Sequence, residues 1–124
     1  MPAIKSRDLP AFPLYGDVFD VLMENGGKPA PHRRAVIVSN NLNNEFSSTV
    51  TILPVMGNNE GKIYSFEVFV PKGVAGLNKD SRIQADQVRT IDKKRLVTFH
   101  GALPDDILKQ VEKAIKVHLN MKVY

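Results

Sequence analysis

Short apolar runs rich in β-branched residues recur along the chain, each closed by glycine, proline, asparagine or charged residues. Such runs are typical of β-strands, and several at close spacing are typical of small barrels and sandwiches. Candidate strands fall at residues 16–23, 33–39, 49–56, 65–70, 82–85, 87–91 and 96–99. Pro54 has no N–H for a strand ladder and predicts an edge or a bulge there. The Asn-rich residues 40–48 predict a loop with room for one helical turn.

Only residues 104–119 carry apolar side chains at the spacing of an amphipathic helix. Pro104 suits the first turn of that helix, and Asp105 and Asp106 complement the positive end of its dipole. The apolar positions are Leu103, Ile107, Leu108, Val111, Ala114, Ile115 and Leu119. Because a sheet and a helix each bury one apolar face, the pattern predicts a mainly β fold with a C-terminal helix packed on a small, strongly bent antiparallel sheet or barrel.

Residues 1–15 contain three prolines and little periodicity, which predicts a loose N-terminal arm. Residues 16–124 show no repeat or linker and are predicted to form a single domain. No apolar run approaches the ~20 residues that a membrane helix needs, and the first residues lack the apolar core of a signal peptide. The chain has no cysteine, which fits a reducing compartment. We therefore expect a soluble, cytoplasmic protein with no membrane partner.

The positive charge is concentrated in the second half of the chain. The formal net charge is +4, with five Lys/Arg against six Asp/Glu in residues 1–60 and twelve against seven in residues 61–124. This excess is consistent with a polyanionic ligand or an acidic protein partner, although many proteins with neutral partners have a similar charge.

Several kinds of site are disfavoured by what the sequence lacks. His32, His100 and His118 are far apart, and no pair has the spacing of metal ligands. There is no Walker phosphate loop, no nucleophile-elbow motif and no cysteine nucleophile. We therefore expect neither a metal site nor a cofactor.

The cluster His32-Arg33-Arg34 lies where a Pro/Gly-rich loop enters an apolar strand. Two guanidinium groups at such a junction could bind a phosphate in bidentate fashion. Equally, charged residues at this point could simply solvate the end of the strand.

A second polar cluster spans residues 86–92. Strand alternation would place Asp86, Val88 and Thr90 on one face and Gln87, Arg89 and Ile91 on the other. If they are buried, the carboxylate, amide and guanidinium groups need partners, which could be one another, another subunit or a ligand.

Several segments, in this order, resemble the MazF/PemK family of toxin–antitoxin mRNA interferases. Residues 16–19 resemble the opening Gly-Asp/Glu-hydrophobic strand of that family, and residues 33–40 resemble its Arg-Pro-apolar-Val-Val-Val-Ser-Asn segment. Residues 49–55 resemble its next strand, and residues 66–68 its Phe-Glu-Val. The most specific stretch, residues 86–92, resembles Asp-Gln-Val/Ile-Arg-Thr-Ile-Asp. The likeness covers residues 16–120, nearly the whole chain.

The resemblance implies an SH3-like β-barrel of the CcdB/MazF type that forms a homodimer. It also implies an endoribonuclease that cleaves single-stranded RNA without metal, in a groove at the dimer interface, by attack of the ribose 2′-OH on the adjacent phosphate. Arg33 aligns with the catalytic arginine of the family and would stabilise charge. Asp86 matches an acidic residue that serves as base or positions substrate, and Gln87 would position RNA or stabilise the dimer.

The chain departs from the family pattern at three positions of the expected site. Arg34 replaces the usual Pro and would contact the substrate. Met56 replaces a Thr or Ser that assists catalysis, and Gln84 replaces an arginine of some members. Methionine cannot transfer a proton. His32 is a hypothetical substitute, since it is adjacent to Arg33 and imidazole groups titrate near neutral pH.

The chain has no tryptophan, so RNA recognition is expected to depend on hydrogen bonds from loops. The loop side chains available for it, which are equally suited to plain turns, are Asn25, Lys28, Asn58 and Asn59. The expected protein partner is an antitoxin with an acidic, disordered tail. Two alternatives stay open: a non-catalytic, CcdB-like inhibitor of DNA gyrase, and an inactive family member that only binds its antitoxin.

Overall fold

A computed structural model describes residues 12–23, 31–58 and 61–122, which contain seven β-strands and two α-helices. The elements in chain order are β1 (Asp17–Leu22), β2 (His32–Ile37), α1 (Asn41–Phe46), β3 (Thr49–Gly57), β4 (Glu67–Val70), β5 (Ser81–Gln84), β6 (Arg89–Asp92), β7 (Leu96–Ala102) and α2 (Asp105–His118). The predicted mainly β fold with a C-terminal helix is confirmed. The expected N-terminal arm lies mostly outside the described residues.

Strand β3 is the centre of the sheet, and every pairing in the sheet is antiparallel. One edge of β3 pairs with β2, and the other pairs with β6 as far as Ile52 and with β5 from Val55 onward. Pro54 lies in the gap between these last two partners. A residue without an N–H suits a position where one neighbouring strand is exchanged for another. The predicted irregularity at Pro54 is therefore a change of partner in a central strand, rather than a sheet edge.

The sheet is not closed into a barrel, so the expectation of a closed β-barrel is corrected. The described strands pair in the order β4-β5-β3-β2-β1-β7, with β6 added beside β3. A 3₁₀ turn, Val74–Gly76, packs against β7. A Cβ atom on Gly76 would lie 2.6 Å from the carbonyl oxygen of His100. The backbone of this turn therefore packs closely on β7.

Two hydrophobic clusters cover the two faces of the sheet, as strand alternation requires. Helix α2 buries Ile107, Val111 and Ala114 against the first cluster, which includes Val36 and Leu53. The second cluster consists of Val21, Ala35, Ile37, Val50, Ile52 and Ile91. Full burial of one large aliphatic side chain contributes about 1.5–3 kcal/mol, so the two clusters together hold β1, β2 and β3 firmly.

The Asn-rich segment after β2 forms the short helix α1, as its composition indicated. The Asn40 side chain accepts a hydrogen bond from the Asn43 backbone N–H at 2.8 Å and so caps the first turn. The buried Asn44 amide donates to the Ser39 carbonyl at 2.9 Å, and the Asn44 carbonyl accepts from Lys93 Nζ at 2.7 Å. These contacts fix α1 to the end of β2 and to the turn after β6.

Candidate active site

The N-terminal end of β2 presents an exposed guanidinium group. The side chains of His32 and Arg33 are exposed, whereas the strand is fully buried from Ala35 onward. Arg33 Nη1 donates to Met56 Sδ at 3.8 Å, and a thioether sulfur is a weak acceptor. Among the described residues, no carboxylate pairs with Arg33. Its donors therefore remain available to a ligand. The exposed His32 precedes Arg33 on the same strand.

Arg34 lies on the opposite face of β2 and has different partners. Its Nε lies 3.4 Å from Asp20 Oδ1, and its Nη1 donates to the Gly76 carbonyl at 2.9 Å. The other Asp20 oxygen lies 2.9 Å from His100 Nε2. The structure thus does not bring the Arg33 and Arg34 guanidinium groups onto one phosphate. Since Asp20 and His100 are eighty positions apart in sequence, no local pattern indicated that they meet.

Asp86 and Gln87 belong to a 3₁₀ turn, Ala85–Gln87, rather than to a strand. The predicted alternation of faces through residues 86–92 is therefore wrong before β6 begins at Arg89. Gln87 Nε2 donates to Asp86 Oδ2 at 3.3 Å. The other oxygen, Asp86 Oδ1, is buried without a hydrogen-bond partner among the described residues. A buried carboxylate oxygen that accepts no hydrogen bond costs free energy, and a donor group from a ligand would supply the missing hydrogen bond.

The 3₁₀ turn at Asp86 lies across β3 from β2. It joins β5 to β6, the two strands that share the edge of β3 opposite β2. One strand therefore separates Asp86 and Gln87 from Arg33, at a lateral spacing of roughly 5 Å per strand. Arg33, Asp86 and Gln87 belong to the same region of the sheet, but no direct contact joins Arg33 to the other two.

A cross-strand row beside Arg33 could not be recognised from any single motif. Met56, which contacts Arg33, pairs with Arg82 of β5, and Arg82 pairs with Phe69 of β4. The Phe69 ring is 38% exposed, and Arg82 Nε lies 3.7 Å from the buried Glu67 carboxylate. The signal that would have found this row is the antiparallel register, which requires the three-dimensional pairing.

The remaining predicted positions are divided between described and undescribed segments. Asn58 donates its backbone N–H to the Asp80 carbonyl at 3.0 Å, and its side-chain oxygen is buried without a hydrogen-bond partner in the described part of the chain. The predicted substrate-binding residues Asn25, Lys28 and Asn59 lie outside the described residues. His118 ends α2 and is exposed.

Two kinds of feature are absent from residues 12–23, 31–58 and 61–122. No group of three His, Cys, Asp or Glu side chains in these ranges is arranged to hold a metal ion. None of their helices has the length and apolar character needed to cross a membrane.

Known proteins resemble this chain over most of its length. Residues 15–119 match the family described as PemK-like, MazF-like toxin of type II toxin-antitoxin system. Endoribonuclease MazF9 of Mycobacterium tuberculosis is 31% identical over 113 residues, which cover 86% of this chain and 95% of that protein.

Solved structures have the same fold. A chain of a MazE-MazF crystal structure from Deinococcus radiodurans matches with a TM-score of 0.69 at 26% identity, covering 91% of this chain and all of that one. An endoribonuclease from a Mycobacterial species, solved with its cognate antitoxin, matches with a TM-score of 0.75 at 19% identity, covering 90% and 99% of the two chains. At that lower identity the likeness concerns the fold alone. From the family match and the curated relative together, the chain belongs to the PemK-like, MazF-like toxins of type II toxin–antitoxin systems.

Proposed function

We propose that this toxin cleaves single-stranded RNA, without a metal ion, by attack of a ribose 2′-OH on the adjacent phosphate. The relative that is 31% identical is named an endoribonuclease, and its likeness extends over almost the entire chain. The observation that carries the proposal is the Arg33 guanidinium, which is exposed and has only a sulfur atom as its partner among the described residues. A cation so placed is available to a phosphodiester.

The reaction forms a bond from the 2′ oxygen to phosphorus and breaks the bond from phosphorus to the 5′ oxygen. The 2′-OH loses a proton and the leaving 5′ oxygen gains one, which yields a 2′,3′-cyclic phosphate and a 5′-OH. Negative charge accumulates on the phosphorane oxygens in the transition state, where a fixed guanidinium stabilises it most. We assign that role to Arg33.

Proton transfer needs a base and an acid near the scissile bond. The Met56 thioether beside Arg33 can serve as neither. We assign the leaving-group proton to His32, which is exposed and precedes Arg33 at the start of β2. Strand alternation directs the two side chains to opposite faces, so this assignment rests on adjacency in sequence. Asp86, with a buried oxygen that lacks a donor, is assigned to the 2′-OH as base or positioning group, and Gln87 holds Asp86 and contacts RNA.

The active form is proposed to be a homodimer whose groove holds the RNA. Helix α1 exposes Leu42 and Phe46 to 71% and 75%, and the two side chains lie one helical turn apart on the same face. Large apolar side chains exposed together are typical of interaction sites. We propose that a second copy of the chain covers them.

The proposed protein partner is an antitoxin with an acidic, disordered tail. One related structure is that of an endoribonuclease in complex with its cognate antitoxin, and another is that of MazE-MazF. The 3₁₀ turn after β6 consists of three consecutive basic residues, Lys93, Lys94 and Arg95. An acidic segment would be attracted to this turn and would fold along the surface beside it.

The test is a digest of a defined mixture of single-stranded RNAs in EDTA, with both ends of each product mapped. We expect 5′-OH and cyclic-phosphate ends, and we expect Arg33→Ala to lower the cleavage rate by about a hundredfold or more, the scale of losing one donor to a transition-state oxyanion. Uncut RNA in the presence of folded wild-type protein would contradict the proposal. Inhibition of DNA supercoiling by gyrase in a parallel assay would then favour the CcdB-like alternative.

A further inference from the structure

A small cationic cleft lies on the face of the sheet opposite Arg33. Its volume is about 170 Å³, and it is lined by the ends of β2 and β3 and by the loop before β5. Arg34 and Lys79 supply two positive charges, Asn78 and Ser81 supply polar groups, and Val55 and Leu77 supply apolar walls. No carboxylate is among its lining residues. The cleft therefore has the character of an anion site with a partly apolar wall.

The Arg34 guanidinium is held in place at the wall of this cleft. Asp20 and the Gly76 carbonyl engage its Nε and Nη1, and Asp20 is in turn next to His100. A guanidinium has five N–H donors, so three remain after these two contacts. A guanidinium oriented by a carboxylate and a carbonyl loses less entropy when it binds a phosphate.

Lys79 reaches the cleft because Gly57 has no side chain. A Cβ atom at position 57 would lie 2.8 Å from Lys79 Cε and 2.9 Å from Lys79 Nζ. The lysine stem thus occupies the space above the end of β3. Among the described residues, the Lys79 ammonium group forms no ion pair, so its charge is available to a ligand.

We infer that this cleft binds a phosphate group of the RNA strand that flanks the scissile bond. The inference rests on the proposed ribonuclease function. Arg33 and Arg34 are consecutive, and their side chains leave opposite faces of β2 at its exposed N-terminal end. An RNA that passes around this end of the strand would bring successive phosphates to both side chains. The volume is below the roughly 300 Å³ at which drug-sized ligand pockets begin, which suits a phosphate and part of its sugar.

The first test compares two charge-matched variants, Lys79→Gln in the cleft and Lys109→Gln on the exposed face of α2. The ligand is an RNA that carries a mapped cleavage site with a 2′-deoxy nucleotide at the scissile position, so that it binds without being cut. Each lysine that neutralises a phosphate of single-stranded RNA contributes about 0.7 to the slope of log affinity against log salt. We expect Lys79→Gln to lower that slope by about 0.7 and to weaken binding about fourfold at 0.15 M salt. Lys109→Gln should leave the slope unchanged.

The second test identifies the phosphate. A series of these RNAs, each with one phosphate replaced by a neutral methylphosphonate, is measured against wild type and Lys79→Gln. At the phosphate that the cleft binds, the two changes should be non-additive, since either one removes the same interaction. At every other position the losses should add.

The third test leaves the charge intact. Gly57→Ala places a methyl group against the Lys79 stem, which can move aside because it is flexible. We expect this variant to remain folded and to weaken RNA binding in the same direction as Lys79→Gln, at the same methylphosphonate position.

The outcomes separate the two proposals. If wild type leaves RNA uncut, the proposed function and the cleft assignment both fail. If wild type cuts RNA and Lys79→Gln binds it with the same slope as Lys109→Gln, the cleft assignment alone fails. A loss of affinity for an acidic antitoxin peptide, with RNA affinity unchanged, would also overturn it and would assign the cleft to a protein partner.

Discussion

The Arg33 guanidinium lies 3.8 Å from the Met56 sulfur across β2 and β3, so a side chain without a useful donor stands beside the proposed catalytic cation. A hydroxyl at this position would add one hydrogen bond to the charged phosphate. We expect Met56→Thr to raise the RNA cleavage rate about tenfold, since a hydrogen bond to a charged group contributes roughly 1.5 kcal/mol. The measurement is single-turnover cleavage of a mapped substrate. Met56→Leu is the control, and equal rates for the Thr and Leu variants would contradict the prediction.

We expect the protein to lose stability at high pH because of Tyr15. Burial, and to a lesser extent the Glu112 carboxylate, raise the pKa of Tyr15 above its ordinary value of about 10. The unfolded chain therefore releases this proton first, so the contribution of Tyr15 is complete below pH ~10 and is lost as the pH rises through the raised pKa. Urea unfolding between pH 8 and 12 should show wild type losing more stability than Tyr15→Phe, and Glu112→Gln should reduce the loss. Parallel pH curves for wild type and Tyr15→Phe would contradict the assignment.

We expect that position 76 tolerates no side chain. Its φ is +73°, and a Cβ atom there would lie 2.6 Å from the His100 carbonyl oxygen, which belongs to the backbone and cannot move aside. Gly73 also has a positive φ, +96°, but a Cβ atom there would meet open space. Alanine at either site costs about 1–3 kcal/mol of backbone strain, and at Gly76 the clash adds to it. Chemical denaturation should therefore show a clearly larger loss for Gly76→Ala than for Gly73→Ala.

The exposed Phe46 side chain is expected to lie in a contact between two subunits. Its side chain is 75% exposed in the single chain, so Phe46→Lys should change the stability of the monomer little. If a second copy covers Phe46, the lysine introduces an unpaired charge into an apolar contact, and sedimentation should show one chain where wild type shows two. Leu119→Lys, at an exposed apolar residue just after α2, is the control. A Phe46→Lys protein that sediments as wild type does would place the contact elsewhere.

Most elements of this fold were predictable because their signals are local. Alternation and turn residues located all seven strands within a few residues, and the apolar spacing of Leu103 to Leu119 located α2. The 3₁₀ turn at Asp86 was not predicted because it is only three residues long and neither glycine nor proline marks it. Whether the sheet closes depends on which strands pair across long stretches of sequence, and local spacing does not indicate that.

The candidate site was predictable only in part. The resemblance to a known family indicated Arg33, and the structure adds that its neighbour is Met56. The network of Asp20, Arg34 and His100 joins three strands, and the cleft near Lys79 depends on the absence of a side chain at Gly57. Such arrangements arise from pairing between strands that are far apart in sequence, so spacing along the chain carries no sign of them.

The exchange of partners along β3 has a consequence for synthesis. This strand acquires β2 before it, but β5 and β6 follow it, and β6 ends only at Asp92. A ribosome working from the N-terminus must therefore expose about three quarters of the 124 residues before the central strand has all its neighbours. The central strand of the nascent chain therefore lacks part of its sheet until β6 has been synthesised.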